Sequence, residues 1–221
     1  MEAGPDEQPA DADEAIAVIP PGTAKLPATR RRSARDRLLA AAQELFYEEG
    51  VNTVGIDRVI ERAGVAKASL YNTFGSKDEL IRAYLTARQD AMRERILRGL
   101  AQYTSPRARL LGVFDVMRES AAEPGFRGCA FVRASAELKP GSSVKTVCDG
   151  TRAWMLTLFT TLAMAAGAGD PVGLARQCVL LYDGAAVSAQ MDGNTGAALA
   201  ARAAAAHLLD AACAGNEGAG G

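Results

Sequence analysis

The sequence predicts an all-α protein of about nine helices, and three observations support this fold class. Ala is the commonest apolar residue, and apolar residues together make up 48% of the chain. Alanine favours helices, whereas runs of the β-branched residues that favour strands are scarce. Apolar side chains also recur at helical spacing, and Gly, Pro or capping residues separate the successive stretches.

The charge distribution divides the chain into unlike parts. Residues 1–24 carry six acids and no base, residues 25–100 carry fifteen Lys and Arg against ten acids, and the remainder balances at ten against ten. The net charge of -1 therefore conceals a basic segment of the kind that contacts nucleic acid. The first 29 residues are acidic and lack hydrophobic periodicity, so we expect them to be a disordered extension.

The first two helices are placed by the residues at their ends. The basic run TRRRSARDR leads into the first helix, for which Ser33 is a suitable N-cap and Gly50 a natural end. Thr53 is expected to cap the second helix, which ends at Gly64.

The third predicted helix is short and spans about 66–73, with Gly75 breaking it. Ser76 and Glu79 then follow the capping-box pattern, which predicts the start of a long helix that continues to about residue 101. Leu70 and Phe74 face inward in this register. The residues that remain more exposed are Lys67, Ala68, Ser69, Tyr71 and Asn72.

Similar signals predict five more helices. Ser105-Pro106 and Asp170-Pro171 each combine a cap with a Pro at the first helical position. The five helices span about 105–121, 129–138, 142–167, 171–191 and 195–213. The Gly-rich residues 215–221 are expected to form a flexible tail.

Several classes of function lack the residues that they need. Four well-separated cysteines without a CxxC pair and a single histidine do not form a metal cluster, so we expect no metal and no cofactor. His207 lies in an Ala-rich helical stretch, where packing or surface exposure is expected rather than catalysis. No apolar run reaches the roughly 20 residues that span a membrane, and the acidic start is unlike a signal peptide. We expect a cytoplasmic protein.

Residues 53–75 predict a helix-turn-helix, because two short helices flank a Gly-containing turn. The second helix of this motif enters the DNA major groove, where small residues allow close approach and Lys67 can reach guanine. Polar side chains and upstream arginines can bind phosphates or the minor groove. The candidate DNA-binding residues are Arg31, Arg32, Arg35, Thr53, Lys67, Ala68, Ser69, Tyr71, Asn72 and Lys77. The pattern also occurs in ordinary helical domains, where Tyr71 and Phe74 would simply be core residues.

The segment TVGIDRVIERAGVAKASLYNTFGSKDELIRAYL resembles the DNA-binding region of the TetR (tetracycline repressor) family of bacterial transcription regulators. The resemblance is specific over residues 35–85. One departure is Asn72, where the family often has His, although Asn can still bond a phosphate. The matching residues are Thr53, Ile56, Ala63, Gly64, Val65, Leu70, Tyr71, Phe74, Lys77 and Leu80. Residues 125–138 also resemble a segment found in one branch of these regulators.

The resemblance implies a homodimeric repressor that binds a palindromic operator and is released by a small molecule. It implies a DNA-binding domain over 30–80 and a ligand-binding and dimerisation domain over 81–214, with the subunits meeting through helices 171–191 and 195–213. The residues expected to line an effector pocket are Tyr84, Phe114, Met117, Phe131, Trp154, Leu158 and Tyr182. Such aromatic and Met side chains suit a hydrophobic ligand, but they are also ordinary core residues; Arg133 and Arg152 could serve an anionic ligand.

Two alternatives to a ligand-released repressor are open. Cys129 follows a Gly before a predicted helix, whose N–H groups could lower the pKa of its thiol, so a redox- or electrophile-sensing regulator is conceivable. A buried, inert thiol is the simpler interpretation. A small helical enzyme is the other alternative, but the sequence lacks a phosphate loop, a carboxylate pair and a usable His.

Overall fold

The computed structural model describes residues 32–137 and 142–214, and these residues contain nine α-helices and no strand. The predicted all-α fold is confirmed. The helices are α1 (Ala34–Glu49), α2 (Ile56–Ala63), α3 (Lys67–Phe74), α4 (Lys77–Leu100), α5 (Pro106–Ala121), α6 (Ala130–Glu137), α7 (Lys145–Ala165), α8 (Pro171–Asp192) and α9 (Gly196–Ala214). The predictions for residues 1–29 and 215–221 lie outside the described residues.

Helix starts follow the predicted caps in most cases. The Ser33 hydroxyl accepts a hydrogen bond from the Asp36 N–H at 3.1 Å, and the Asp36 carboxylate accepts from the Ser33 N–H in return. The Ser33 hydroxyl also lies 2.8 Å from the Asp36 carboxylate, and this side-chain hydrogen bond, together with that from the Ser33 N–H, holds the pKa of Asp36 below its usual range. Ser76 and Asp170 cap α4 and α8 through bonds from Glu79 N–H and Gly173 N–H.

The predicted cap at Thr53 is wrong. Gly55 is the N-cap of α2 and supplies no side-chain hydrogen bond, and Thr53 lies exposed in the preceding turn. The start of α7 also differs from the prediction, because the helix begins at Lys145 rather than near residue 142.

Two hydrophobic clusters make up the core. The N-terminal cluster is built by α1, α2, α3 and the first half of α4, and Phe131 of α6 and Cys148 of α7 also belong to it. The C-terminal cluster joins the second half of α4 to α5, α7, α8 and α9. Since α6 and α7 contribute to the packing of the first cluster, the helices of the C-terminal part directly support the N-terminal ones. The division into domains at residue 80 stays a prediction.

The outer surface of α8 and α9 is unusually apolar. The exposed fractions of Leu180, Met191 and Leu199 are 65%, 80% and 53%. By length and composition alone, α9 could cross a membrane, but only 22% of its most apolar window is buried. Its inner side packs into the C-terminal cluster through residues such as Ala205 and Leu209, so α9 is integrated into the helical core.

Candidate nucleic-acid interface and ligand cavity

The turn between α2 and α3 is fixed by backbone geometry. Gly64 adopts a left-handed conformation (φ 61°), and its N–H donates to the carbonyl of Glu61. The N–H of Val65 donates to the carbonyl of Ile60 at 3.3 Å, which completes a Schellman motif. Arg37 of α1 donates to the Gly64 carbonyl at 3.0 Å. These three hydrogen bonds together fix the angle between α2 and α3.

The third helix turns one apolar side inward and one polar side outward. Leu70 is fully buried and Phe74 is half-buried, as predicted. Ser69 is half-buried, whereas the side chain of Tyr71 is 45% exposed. The other exposed residues on this helix are Lys67, Ala68, Asn72 and Thr73. A helix with small and polar residues outermost can approach a flat or grooved partner closely.

Lys67 is held by an ion pair with Asp57 of α2, whose Oδ1 lies 2.9 Å from the Lys67 Nζ. The hydrogen bond and charge of Asp57 raise the pKa of Lys67, so its ammonium stays charged. Both side chains are exposed, at 60% and 82%, and such pairs contribute little in water. Lys67 can therefore exchange Asp57 for a stronger acceptor at small cost.

The other basic residues near this surface differ in whether they already have a partner in the protein. Arg62 forms a bidentate pair with Glu44, and Arg58 pairs with Glu49, so both are already committed to α1. The Arg35 guanidinium lies 5.6 Å from the centre of the Phe74 ring, next to the end of α3. Lys77 is half-buried at the first position of α4, and burial lowers its pKa. Arg32 is exposed, and Arg31 lies outside the described residues.

A second feature is a pair of adjoining cavities of about 180 and 270 Å³ in the helices that follow. They share the wall residues Met92, Cys129, Phe131 and Tyr182. The remaining lining of the first includes Tyr47, Arg88, Arg95, Met117, Ser120, Glu123 and Phe126. The second is lined by residues that include Thr151, Arg152, Met155 and Asp183. Such mixed lining is typical of small-molecule sites.

Three of the predicted lining residues, Met117, Phe131 and Tyr182, do line these cavities. Four others do not, because they are used in packing elsewhere. Tyr84 is buried edge-on against Phe46 in the N-terminal cluster, and Phe114 is fully buried beside Phe159. Trp154 lies under the Arg93 guanidinium, and Leu158 packs against the C-terminal cluster.

The two arginines considered for an anionic ligand differ in their positions. Arg152 lines the second cavity but is paired with Asp183 at 2.5 Å. Arg133 donates to the backbone carbonyl of Tyr47 at 2.6 Å. Arg88 and Arg95 were not predicted, because the expected lining was mainly aromatic and apolar and its charged candidates were Arg133 and Arg152. Their spacing from Met92, four residues before it and three after it, was the available signal.

Cys129 lies at the wall shared by both cavities. The expected lowering of its pKa is wrong: burial raises the pKa of this thiol and outweighs the hydrogen bonds from the N–H groups of Val132 and Phe131. A raised pKa leaves less thiolate at neutral pH, and the thiolate is the reactive form.

Helix α6 is tied directly to α1 and the turn after it. The Tyr47 hydroxyl donates to the Gly128 carbonyl at 3.2 Å and accepts from the Arg127 N–H at 2.8 Å. The Asn52 backbone N–H donates to the Glu137 carboxylate at 2.8 Å, and its side-chain amide donates to the Glu137 carbonyl at 2.5 Å. A segment that lines the cavity thus shares hydrogen bonds with α1 and the turn before α2, and α1 packs in the same cluster as the helix-turn-helix.

A helix-turn-helix with an exposed second helix, followed by a helical body that holds a cavity, defines the class of helix-turn-helix regulators. Comparison with known proteins narrows the class. The family model for bacterial regulatory proteins of the tetR family matches residues 38–84. A TetR-family regulator from Streptomyces coelicolor, SCO4454, superposes with a TM-score of 0.78 at 32% identity, over 81% of this chain and 96% of that one.

Two curated relatives from Mycolicibacterium smegmatis match more locally. The transcriptional activator FasR is 38% identical over 86 residues, which are 39% of this chain and 38% of FasR. The transcriptional repressor KstR2 is 32% identical over 94 residues, which are 42% of this chain and 44% of KstR2. The match thus spans less than half the length of these two relatives. Together with the structural match, which covers most of both chains, it shows that the chain belongs to the TetR family of bacterial transcriptional regulators.

Proposed function

We propose that this protein is a sequence-specific DNA-binding regulator that reads its operator with α3. The observation that carries the proposal is the exposed polar face of α3, held at a fixed angle by the Gly64 turn while Leu70 anchors its other side. A helix presented in this way fits the major groove, which is wide enough to admit it.

The contacts divide into those that read bases and those that bind phosphates. Lys67, Ala68 and Ser69 occupy the first turn of α3, the part of a recognition helix that meets base edges. Tyr71, Asn72 and Lys77 are proposed to bond phosphates, and the free N–H groups at the start of α4 add to that site. Arg31, Arg32, Arg35 and Thr53 are proposed for flanking backbone or minor-groove contacts.

The protein is proposed to act as a homodimer joined through α8 and α9. Leu180, Met191 and Leu199 would leave a large apolar surface in contact with water in a monomer. A twofold interface places the same surface on both subunits, which matches a palindromic operator with two half-sites. Closing this interface would also cover the apolar side of α9. We therefore propose a cytoplasmic protein rather than a membrane one.

The adjoining cavities are proposed to bind a small-molecule effector that releases the operator. A ligand can do this only if it binds the DNA-incompetent arrangement more tightly. The bonds from Tyr47 and Asn52 to the α6 segment, together with α4, offer the physical connection between cavity and reading helix. We propose repression, as in KstR2, although FasR is an activator and the sign is open to direct test.

The test is selection of genomic DNA fragments by the purified protein at rising salt. A few fragments that survive and share a palindrome would support the proposal. Retention only at low salt and without preference would contradict it, provided the result persists after unfolding and refolding to remove any bound ligand. Release of the selected fragment by added effector, and a transcription assay from its promoter, then separate repressor from activator.

Redox sensing through Cys129 is the second candidate, and its accessible place in the cavity wall is the observation in its favour. The raised pKa of the thiol opposes it. Catalysis has no comparable support, and the relatives are regulators.

A further inference from the structure

Arg88 differs from the other arginines of the cavity walls in having no ion pair with a described carboxylate. It lies on α4 and lines the first cavity, half-buried. Within residues 32–137 and 142–214, no carboxylate lies within ion-pair distance of it, whereas two other arginines of the cavities are paired. Arg95 pairs with Glu123 at 2.9 Å and Arg152 with Asp183 at 2.5 Å.

The Arg88 guanidinium is held in place by aromatic stacking. Its central carbon lies 3.6 Å from the centre of the Tyr47 ring and 5.9 Å from that of Tyr84. Stacking occupies the face of a guanidinium, and a hydrogen bond to Tyr84 uses one donor on its edge, so most of its five N–H donors remain for a ligand. A guanidinium fixed in this way can form a bidentate pair with a carboxylate without first losing much rotamer freedom.

The other charged residues of the first cavity form one neutralised pair, and the Ser120 hydroxyl is a further polar group. Its apolar and aromatic lining includes Met92, Met117, Phe126, Phe131 and Tyr182. With Glu123 and Arg95 compensating each other, Arg88 leaves a formal charge of +1 on the cavity lining. The matching ligand carries one negative charge at one end and an apolar body at the other.

We propose that the ligand of this cavity is an organic monocarboxylate with an alkyl or aryl body, and that Arg88 anchors its carboxylate. The inference rests on the proposed function only in taking the cavity as the effector site. The carboxylate binds the edge of the guanidinium on which Tyr47 stacks, and Tyr47 in turn is bonded to the Arg127–Gly128 segment. The anchor therefore lies in direct contact with the residue that links α1 to the start of α6.

The test compares matched probes that differ only in charge. Octanoate, decanoate, 4-phenylbutyrate and 2-naphthylacetate are titrated against the full-length protein by calorimetry, each beside its primary amide, with thermal shift as a second readout. We expect at least one carboxylate to bind roughly 10- to 100-fold more tightly than its amide, the range for a charge-assisted bidentate bond.

Three variants assign that preference to a residue. Arg88→Met keeps much of the apolar stem and is expected to abolish the preference for carboxylate over amide while leaving amide affinity within about threefold. Arg88→Lys keeps the charge without the bidentate fork and is expected to retain part of the preference. Arg98→Met is the control, since Arg98 lies on the same helix, exposed and paired with Glu94.

Several results would overturn the proposal. It fails if amides bind as tightly as their carboxylates, if Arg98→Met removes the preference as fully as Arg88→Met, or if no carboxylate in the panel binds at about 1 mM. These outcomes are independent of operator selection. A protein that selects a palindrome but ignores every carboxylate refutes only the ligand class, whereas carboxylate binding without DNA selection refutes only the regulatory function.

Discussion

The outer faces of α3 and of α8–α9 are both uncovered, yet their chemistry is opposite. On α3 the exposed side chains are polar or small, and the nearby charges include the weakly paired Lys67 and the arginines that pair with α1. On α8 and α9 the exposed side chains include large apolar ones, Leu180, Met191 and Leu199. The first surface suits a charged partner whose binding weakens with salt, whereas the second suits an apolar partner whose binding does not. One chain therefore carries two exposed surfaces whose binding to a partner is expected to respond differently to the same change of solvent.

The largest effect is expected from a charge placed in the apolar face of α8 and α9. Leu180→Glu is expected to convert a dimer to a monomer and to lower operator affinity by about 100-fold or more, because two linked half-site contacts become independent. Sedimentation and operator titration measure the two effects. Leu97→Glu, at an exposed position on α4, is the control. A Leu180→Glu variant that remained dimeric would place the interface elsewhere.

The next effect concerns the reading of bases by α3. Lys67→Ala is expected to cost about 1–3 kcal/mol on the preferred operator and to relax the preference at one base pair per half-site, because a guanine contact is lost. Binding to a library of operator variants measures this. Asp57→Asn is the companion variant, since it releases Lys67 without removing it. Equal losses for Lys67→Ala on every DNA sequence would contradict the base-reading role.

A smaller and less selective effect is expected from the phosphate contact. Lys77→Ala should weaken binding to all DNA sequences alike and reduce the slope of log affinity against log salt by about 0.9, the value for one phosphate contact. Titrations at several salt concentrations measure the slope. Lys145→Ala is a suitable control, because Lys145 is exposed on α7 and paired with Asp149. An unchanged slope would remove Lys77 from the interface.

The smallest effect is expected at Cys129, in the wall shared by the two cavities. Because burial raises the pKa of the Cys129 thiol, its thiolate is scarce at neutral pH and increases only as the pH rises toward that higher pKa. Labelling of Cys129 by N-ethylmaleimide should therefore be slow near pH 7 and faster in alkali. Peroxide should affect DNA binding by the wild type and by Cys129→Ser alike. Protection from peroxide in the serine variant would restore the redox-sensing alternative.

Local signals in the sequence predicted the reading helix but not the cavity. Ser33, Gly64 and Ser76 act on their immediate neighbours, so their effect on helix ends can be read from the chain. The same reasoning failed at Thr53, where Gly55 already has the extended conformation of an N-cap and the helix begins two residues later than a Thr53 cap requires.

The cavity depends on packing between helices that are distant in sequence. Met117 and Tyr182 meet there from α5 and α8, and no spacing rule relates them. The same packing buries Tyr84 in the core, and it leaves Arg88 in the wall with no carboxylate partner among residues 32–137 and 142–214. Charged wall residues are difficult to recognise in a sequence because most charged side chains on a helix simply face solvent.

The hydrogen bonds between Asn52 and Glu137 determine whether the N-terminal helices can be exchanged as a separate unit. Gly50, beside them, has a φ of 100°, and a Cβ there would lie 2.7 Å from a Glu137 carboxylate oxygen. The turn after α1 thus packs closely against the end of α6, with no room for a side chain at residue 50. We expect that a chimera joining residues 32–76 to the body of another regulator would respond to that body's ligand poorly unless residues 127–137 were transplanted with them. The unit that evolution or an engineer can exchange is therefore expected to include α6, a short helix that is distant in sequence from the DNA-binding helices but bonded to them.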